Sequence, residues 1–247
     1  MNLFKIISDI EKVDPEAGER YSFYSRRSLL NKIGSNLAAA GIPALVASTL
    51  NKAYAQAAAP SAAAVAVLQY ALTLEYLEDE FYRLGLAAAG LIPAADRTVM
   101  TQIGKHEAAH VALLRGALGT SAQAKPTFKL PPAALTSYQT FLGLAQALED
   151  TGVAAYKGQA GALINDKGIL QVALQIHSVE ARHASEVRRI QGLKGWVSNP
   201  MQTTFTQGGV NLKTLPNVTG IGDNAFREAF DEPLTMAQVL AIAAPFL

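Results

Sequence analysis

Two short motifs decide the fold of this chain: EAAH at residues 107–110 and EARH at residues 180–183. A glutamate and a histidine three positions apart lie on one face of a helix, so each motif can direct a carboxylate and an imidazole to the same place. A lone glutamate precedes each motif at almost the same distance, because Glu75 comes 32 residues before the first and Glu149 comes 31 residues before the second. The two halves therefore indicate an internal repeat of two helical hairpins.

Four helices are predicted from the periodicity of the apolar residues and from signals at the helix ends. Alanine is abundant and β-branched residues are few, so the intrinsic helix propensity agrees with the periodicity. Gly119 is expected to end the second helix, because glycine is the usual residue just past a helix C-terminus. The predicted helices span about residues 61–89, 93–118, 132–163 and 167–192.

The connection between the second and third predicted helices is long and rich in proline. Residues 120–131 include Pro126 and Pro131, and the residue before a proline is biased toward extended backbone. Twelve extended residues reach about 40 Å, enough to run the length of a helical bundle. The segment permits the one long crossover found in ferritin-like bundles, and we predict an all-α four-helix bundle with this crossover between helices 2 and 3.

The paired motifs supply the ligand set of a carboxylate-bridged dinuclear metal site, because four carboxylates and two imidazoles can hold two divalent cations. The alternative for each glutamate is an exposed charge on a helix surface, where glutamates usually lie. The complete match to the six-ligand pattern favours the metal site. The six candidate ligands are Glu75, Glu107, His110, Glu149, Glu180 and His183.

Four further residues are candidates for contacts with these ligands. Glu78, one helical turn after Glu75, is either an alternative ligand or a second carboxylate at the entrance of the site. Tyr82 and Tyr156 each follow a lone glutamate by seven residues. They either donate hydrogen bonds to the opposite carboxylates or are ordinary core aromatic residues. His177 is a candidate for an additional ligand or a proton relay.

Two other polar residues adjoin the ligands. The chain has only 4 histidines, and the remaining one, His106, directly precedes Glu107. Asp150 directly follows Glu149. For both residues a supporting or surface role is expected rather than ligation.

Residues 1–55 carry the pattern of an export signal of the twin-arginine type. Arg26 and Arg27 form the arginine pair, residues 33–50 are weakly apolar, and residues 53–55 (AYA) form a small-x-small cleavage site. An amphipathic or transmembrane helix is the alternative, but glycine, proline and polar residues make this stretch a poor bilayer span. Retention as an uncleaved membrane anchor stays open. We expect export by the twin-arginine translocase to the periplasm or the extracellular space.

Charge and cysteine content exclude several classes of function. The leader holds 7 of the 21 basic and 5 of the 20 acidic residues, so 14 basic and 15 acidic residues remain. This balance is not that of a nucleic-acid-binding protein. With 0 cysteines the chain has no zinc ribbon, iron–sulfur centre or cysteine nucleophile.

The residues after the predicted bundle (56–192) form a C-terminal extension, residues 193–247, which is expected to pack on the bundle. Residues 196–222 are rich in Asn, Thr, Gly and Pro and predict a long loop, with a short extended pair at 202–212. Two short helices are expected after it. The first spans residues 223–230, and the second begins after Thr235 and ends near Pro245, with a capping box formed by Gln238.

Residues 61–192 resemble the ferritin-like superfamily. The segments LTLEYLEDEFYRLG at 72–85 and AFDEPL at 229–234 resemble a branch of exported bacterial ferritin-like proteins related to plant desiccation-associated proteins. The resemblance implies a site with two iron ions, two manganese ions or one of each. It also implies that Glu107 and Glu180 bridge the two ions, with one lone glutamate and one histidine completing each ion.

The superfamily includes ferroxidases, peroxidases, catalases and oxygenases, so the resemblance leaves the reaction open. We expect an oxidoreductase or ferroxidase that uses O2 or peroxide. The alternative is a non-catalytic, metal-stabilised protein that protects against stress such as desiccation. A storage cage is a weaker alternative because the long tail would complicate shell packing, and a homo-oligomer is left open. Export of the folded protein implies that the metal is acquired in the cytosol.

Overall fold

The computed structural model describes residues 60–197, 231 and 233–247. Within these ranges the chain is helical and contains no β-strand. Four long helices and one short helix are present: α1 (Ala62–Ala87), α2 (Ala94–Leu118), α3 (Tyr138–Gln159), α4 (Lys167–Ile190) and α5 (Met236–Ala243). The predicted leader (1–55), extended pair (202–212) and helix at 223–230 lie outside the described residues.

The ends of the first two helices follow the predicted signals. Ser61 caps α1, because its hydroxyl accepts a hydrogen bond from the backbone N–H of Ala64 at 3.1 Å. The Ser61 hydroxyl also donates to Asp166 at 2.7 Å, which ties the start of α1 to the turn before α4. Gly119 follows α2 with a φ of 56°, a left-handed value that glycine adopts without steric cost.

The third helix begins later than predicted. The sequence placed its start at residue 132, but residues Pro132–Leu135 form a separate 3-10 turn and α3 begins at Tyr138. Ser137 has extended backbone, and its hydroxyl accepts a hydrogen bond from the N–H of Thr140 at 3.3 Å. A proline suits the first turn of an α-helix, but the serine cap five residues after Pro132 determines where α3 begins. Residues 160–163, also predicted as α-helix, form a second 3-10 turn.

The crossover between α2 and α3 runs along α1. Its first residues contact the start of α1, since the Gln123 N–H donates to the Gln69 side chain at 3.1 Å. Further along, Lys125 pairs with Asp79 at 2.9 Å, almost three helical turns higher on α1. The crossover therefore carries the chain to the opposite end of the bundle, so α2 and α3 run in the same direction. The predicted single long crossover is confirmed.

Two apolar clusters fill the bundle, and the polar layer lies between them. One cluster contains the buried apolar residues of α1 as far as Tyr76 and those of α2 that begin at Leu114. The other cluster contains the buried apolar residues of α1 that begin at Leu77 and those of α2 as far as Ile103. On α3 and α4 the two clusters are likewise separated by the segments around residues 149–155 and 177–186. Every long helix therefore supplies its candidate ligands at the same height.

The described part of the C-terminal tail packs against α1 and α3. Thr235 and Gln238 form the predicted capping box at the start of α5. The Leu234 N–H donates to the Ala154 carbonyl on α3 at 3.1 Å, and Val239 is fully buried. Gly158 allows this approach, because a Cβ there would lie 1.8 Å from the Leu234 carbonyl oxygen.

Among the described residues, no helix combines the length and apolar character that a membrane crossing requires.

Candidate metal centre

All six predicted ligands converge in the centre of the bundle. The four glutamates are fully buried, and the two histidines are 4 to 8% exposed. Their ligand atoms form two groups, and the atoms within each group lie within 4.8 Å of one another. Both groups contain Glu107 and Glu180, so these two carboxylates lie between the other pairs. The first group is Glu75, Glu107, His110 and Glu180, and the second is Glu107, Glu149, Glu180 and His183.

Both imidazoles direct Nδ1 toward the carboxylates. His110 Nδ1 lies 3.1 Å from Glu75 Oε2 and 3.1 Å from Glu107 Oε2. His183 Nδ1 lies 3.1 Å from Glu149 Oε2 and 2.9 Å from Glu107 Oε1. The two halves of the internal repeat therefore present the same ligand atoms to a common centre.

Three carboxylate oxygens in this centre are buried without a hydrogen-bond donor among the described residues. They are Glu107 Oε1 and both side-chain oxygens of Glu180. His183 Nδ1 and His110 Nδ1 approach two of them at 2.9 and 3.2 Å, but not in the directions that a hydrogen bond requires. A buried carboxylate without a partner is costly, and a shared cation would remove that cost. Carboxylate oxygen and imidazole nitrogen are donors that suit iron and manganese, so the residues fit a dinuclear site.

Two tyrosines link the centre across the bundle. The Tyr82 hydroxyl on α1 donates to Glu149 Oε1 on α3. The Tyr156 hydroxyl on α3 donates to Glu75 Oε1 on α1 at 2.5 Å. Each lone glutamate therefore receives a hydrogen bond from the other hairpin, which restricts its side chain to the orientation that faces the centre.

Residues 63–193, more than half of the chain, match the model of the ferritin-like domain family. The chain belongs to this family. No curated protein matches it by sequence. The match covers all four long helices and all six candidate ligands, and it supports the ferritin-like superfamily without distinguishing among its branches.

Burial favours the protonated form of two carboxyl groups in the ferritin-like centre, Glu180 and Glu107. Burial, together with the charges of Glu107 and Glu75, raises the pKa of Glu180 well above its usual value. Burial also raises the pKa of Glu107, although the nearby imidazoles of His110 and His183 oppose the shift. For Glu75, burial is outweighed by the His110 charge and by hydrogen bonds from His110 and Tyr156, so its pKa is lowered.

The imidazoles are held in the charged form by the carboxylates around them. Burial disfavours the charge on His183, but Glu149 and Glu107 outweigh burial and raise its pKa to about 11. Burial likewise opposes the charge on His110, and the carboxylates, Glu75 first, raise its pKa well above the usual value. In the metal-free protein at neutral pH, protons therefore occupy positions that a cation would take.

The remaining candidates lie near the centre without joining either group of ligand atoms. Glu78 is buried, and burial with the charges of Glu180 and Glu75 raises its pKa well above the usual value. Glu75, not Glu78, supplies the carboxylate of the first group. His177 Nδ1 lies 3.0 Å from the backbone carbonyl oxygen of Val153, so the described contact of its ring is to the backbone of α3.

Sequence reasoning missed two features of the centre. Arg188 is buried on α4 and donates to both oxygens of Asp150 on α3, at 2.7 and 2.8 Å. This ion pair fixes α3 and α4 against each other one residue from the candidate ligand Glu149. Gly152 contacts the Glu180 carboxyl group so closely that a Cβ at position 152 would lie 2.9 Å from Glu180 Oε2. Position 152 in the second half of the repeat corresponds to Glu78 in the first, so a comparison of the two halves could have indicated that Gly152 lies near the centre.

Replacing Gly152 with alanine should weaken metal binding more than it weakens the fold. The added Cβ displaces the end of a flexible side chain, which costs little stability, but that end is a carboxylate shared by both groups of ligand atoms. We expect Gly152→Ala to lower metal affinity by about 10-fold or more. Its unfolding midpoint in denaturant without metal should stay close to that of the natural chain.

Gly143→Ala is the matched control, because it lies on the same helix and an added Cβ meets nothing within 4 Å. This variant should bind metal as the natural chain does. Calorimetric titration with Mn(II) measures both variants, and equal affinity for the two would contradict a role for Glu180 in holding metal.

Metal binding should strengthen as the pH rises. Four of the six candidate ligands have raised pKa values in the metal-free protein, so their protons must leave before a cation can bind. They are Glu107, Glu180, His110 and His183. Each proton released per ion makes the apparent affinity rise by about 10-fold per pH unit. Titration with Mn(II) between about pH 6 and pH 8, in two buffers of different ionisation enthalpy, measures both the slope and the number of protons. An affinity that does not change with pH would contradict the charge distribution described above.

Proposed function

We propose that this ferritin-like protein binds two iron ions, two manganese ions or one of each, and acts as an oxidoreductase or ferroxidase on O2 or peroxide. The observation that carries the proposal is the pair of overlapping groups of candidate ligands, since Glu107 and Glu180 belong to both. Three of the buried oxygens of these two side chains have no hydrogen-bond donor among the described residues. These two shared carboxylates would hold the two cations next to each other, as a two-metal site requires.

The chain supplies positions for both ions without further ligands. Glu75 and His110 would complete one ion, and Glu149 and His183 the other, with the two shared carboxylates offsetting part of the positive charge. Bound iron or manganese would supply the electrons that O2 or peroxide accepts. The protein itself holds the carboxylates in place through the two tyrosine hydrogen bonds and surrounds them with apolar clusters that limit the access of water.

A second function, metal-dependent stabilisation without turnover, is favoured by the same buried oxygens. Carboxyl oxygens buried without a hydrogen-bond donor destabilise the metal-free bundle, so a bound cation would increase stability even if it reacted with nothing. Such a protein would fit a role in protection against stress. The two functions differ in whether O2 or peroxide is consumed.

Replacing Glu107 separates these two functions. Glu107→Gln removes a shared carboxylate while keeping the shape of the side chain, and it removes one of the oxygens that lack a donor. If the protein is an oxidoreductase, we expect the Fe(II)-dependent consumption of O2 or peroxide to fall by about 100-fold or more. The metal-free variant should be about as stable as the natural chain, because burial already favours the uncharged form of Glu107 and glutamine keeps its shape.

Glu186→Gln is the matched control, since this glutamate lies on α4 with a side chain that is 43% exposed. It should leave O2 consumption unchanged. An oxygen electrode measures turnover, circular dichroism measures unfolding, and elemental analysis of protein from its own host identifies the metal. If the natural chain is stabilised by iron or manganese but consumes neither O2 nor peroxide, the stabilising function is correct. If protein from its host holds only zinc or no metal, the oxidoreductase proposal is wrong.

We also propose that the protein acts outside the cytosol after export by the twin-arginine translocase, with the metal bound before export. The support is the sequence of residues 1–55, in which Arg26 and Arg27 precede a weakly apolar stretch and a small-x-small cleavage site. Replacing both arginines with lysine should retain the protein in the cytosol, because this export route requires the arginine pair. Cell fractionation measures the distribution, and export of the lysine variant would contradict the proposal.

A further inference from the structure

A row of three side chains joins the ligand His183 to the protein surface. His183 Nε2 lies 2.9 Å from His106 Nδ1, and the two rings are nearly coplanar, with 11° between their planes. The other ring nitrogen of His106, Nε2, lies 2.8 Å from the side-chain amide nitrogen of Gln102, a residue that is exposed. His106 itself is half-buried, one residue before the shared carboxylate Glu107.

The hydrogens in this row follow from the direction of the ligand atom. His183 presents Nδ1 to Glu107 and Glu149, so Nδ1 is the nitrogen that would bind a metal. An imidazole that binds metal through Nδ1 carries its hydrogen on Nε2. His183 Nε2–H therefore donates to His106 Nδ1. The Gln102 amide has to be turned by 180° for its oxygen to accept from His106 Nε2–H, and the oxygen and nitrogen of an amide group are interchangeable in assignment. Every donor in the row thus faces an acceptor.

The other half of the repeat lacks this row. His110 is the counterpart of His183, and within the described residues its hydrogen bonds and ion pairs run through Nδ1. The residue that precedes Glu180, as His106 precedes Glu107, is Val179, which can neither donate nor accept a hydrogen bond through its side chain. The six ligands are therefore nearly symmetric, whereas the groups behind the two imidazoles are not.

We propose that His106 is a positioning residue that fixes the tautomer and ring orientation of His183. The proposal rests on the dinuclear site of the proposed function. A hydrogen-bond acceptor behind a metal-binding imidazole pre-orients the ring and increases its basicity, and such partners typically contribute about 10- to 100-fold in metal affinity. The ion held by Glu149 and His183 is therefore bound more tightly than the ion held by Glu75 and His110. The two positions fill in that order.

Anaerobic titration with Co(II) tests this order, because the visible spectrum of Co(II) reports binding. The natural chain should bind two Co(II) ions with two distinct dissociation constants. His106→Leu removes the acceptor, so the smaller constant should rise by about 10- to 100-fold while the larger one stays unchanged. His106→Asn should restore tight binding, because its amide oxygen can take the place of Nδ1 as acceptor. Val179→Leu, at the equivalent position of the other half, should leave both constants unchanged.

A spectroscopic measurement separates positioning from a general loss of structure. In the Co(II)-loaded protein, the Nε2–H proton of His183 should give a paramagnetically shifted NMR signal that exchanges slowly with water. The signal should persist in His106→Asn. In His106→Leu it should be lost through fast exchange, because no acceptor holds the proton.

The outcomes distinguish the inference from the proposed function. If the natural chain binds fewer than two Co(II) ions, the dinuclear proposal is wrong and the role of His106 falls with it. If the natural chain binds two ions but His106→Leu leaves both dissociation constants unchanged, the inference is wrong and the dinuclear site stands. The same conclusion follows if His106→Leu raises both dissociation constants by the same factor. Equal weakening in His106→Asn and His106→Leu would also overturn it, because the asparagine retains an acceptor.

Discussion

Four carboxylates removed from water at one point impose the main constraint on this bundle. Like charges at such short range, away from solvent, cannot all remain ionised unless positive charge is placed among them. Two imidazoles and retained protons provide that charge in the metal-free protein, and two divalent cations would provide it more fully. Since each of the four long helices contributes at least one of these groups, the position of every helix depends on how the charge is compensated.

The surrounding structure holds the carboxylates where repulsion would otherwise separate them. Apolar clusters above and below confine the polar layer to one height on all four helices. Tyr82 and Tyr156 connect α1 and α3, while the Arg188–Asp150 pair connects α3 and α4. Gly152 leaves the space into which Glu180 extends. The contacts thus act on the ligands from several directions, as a preorganised metal site requires.

The two halves of the internal repeat match closely at the candidate ligands and differ in the residues around them. Position 78 carries a buried glutamate and its counterpart is Gly152, while His106 has Val179 as its counterpart. Two chemically identical ligand pairs therefore lie in different surroundings. In a dinuclear centre such differences give the two ions unequal affinity and unequal reactivity, because the groups behind the ligands set ligand orientation and basicity.

The sequence alone determined the features that depend on local spacing. The Glu-x-x-His motifs place two candidate ligands on one helical face, Gly119 marks a helix end, and the proline-rich segment permits a long crossover, all within short stretches of chain. The start of α3 was predicted wrongly because a proline and Ser137 gave competing local signals. Only the tertiary structure decided which side chains meet across helices, as His106 and His183 or Asp150 and Arg188 do. Those pairs lie 77 and 38 residues apart, and no local periodicity specifies the rotation of one helix against another.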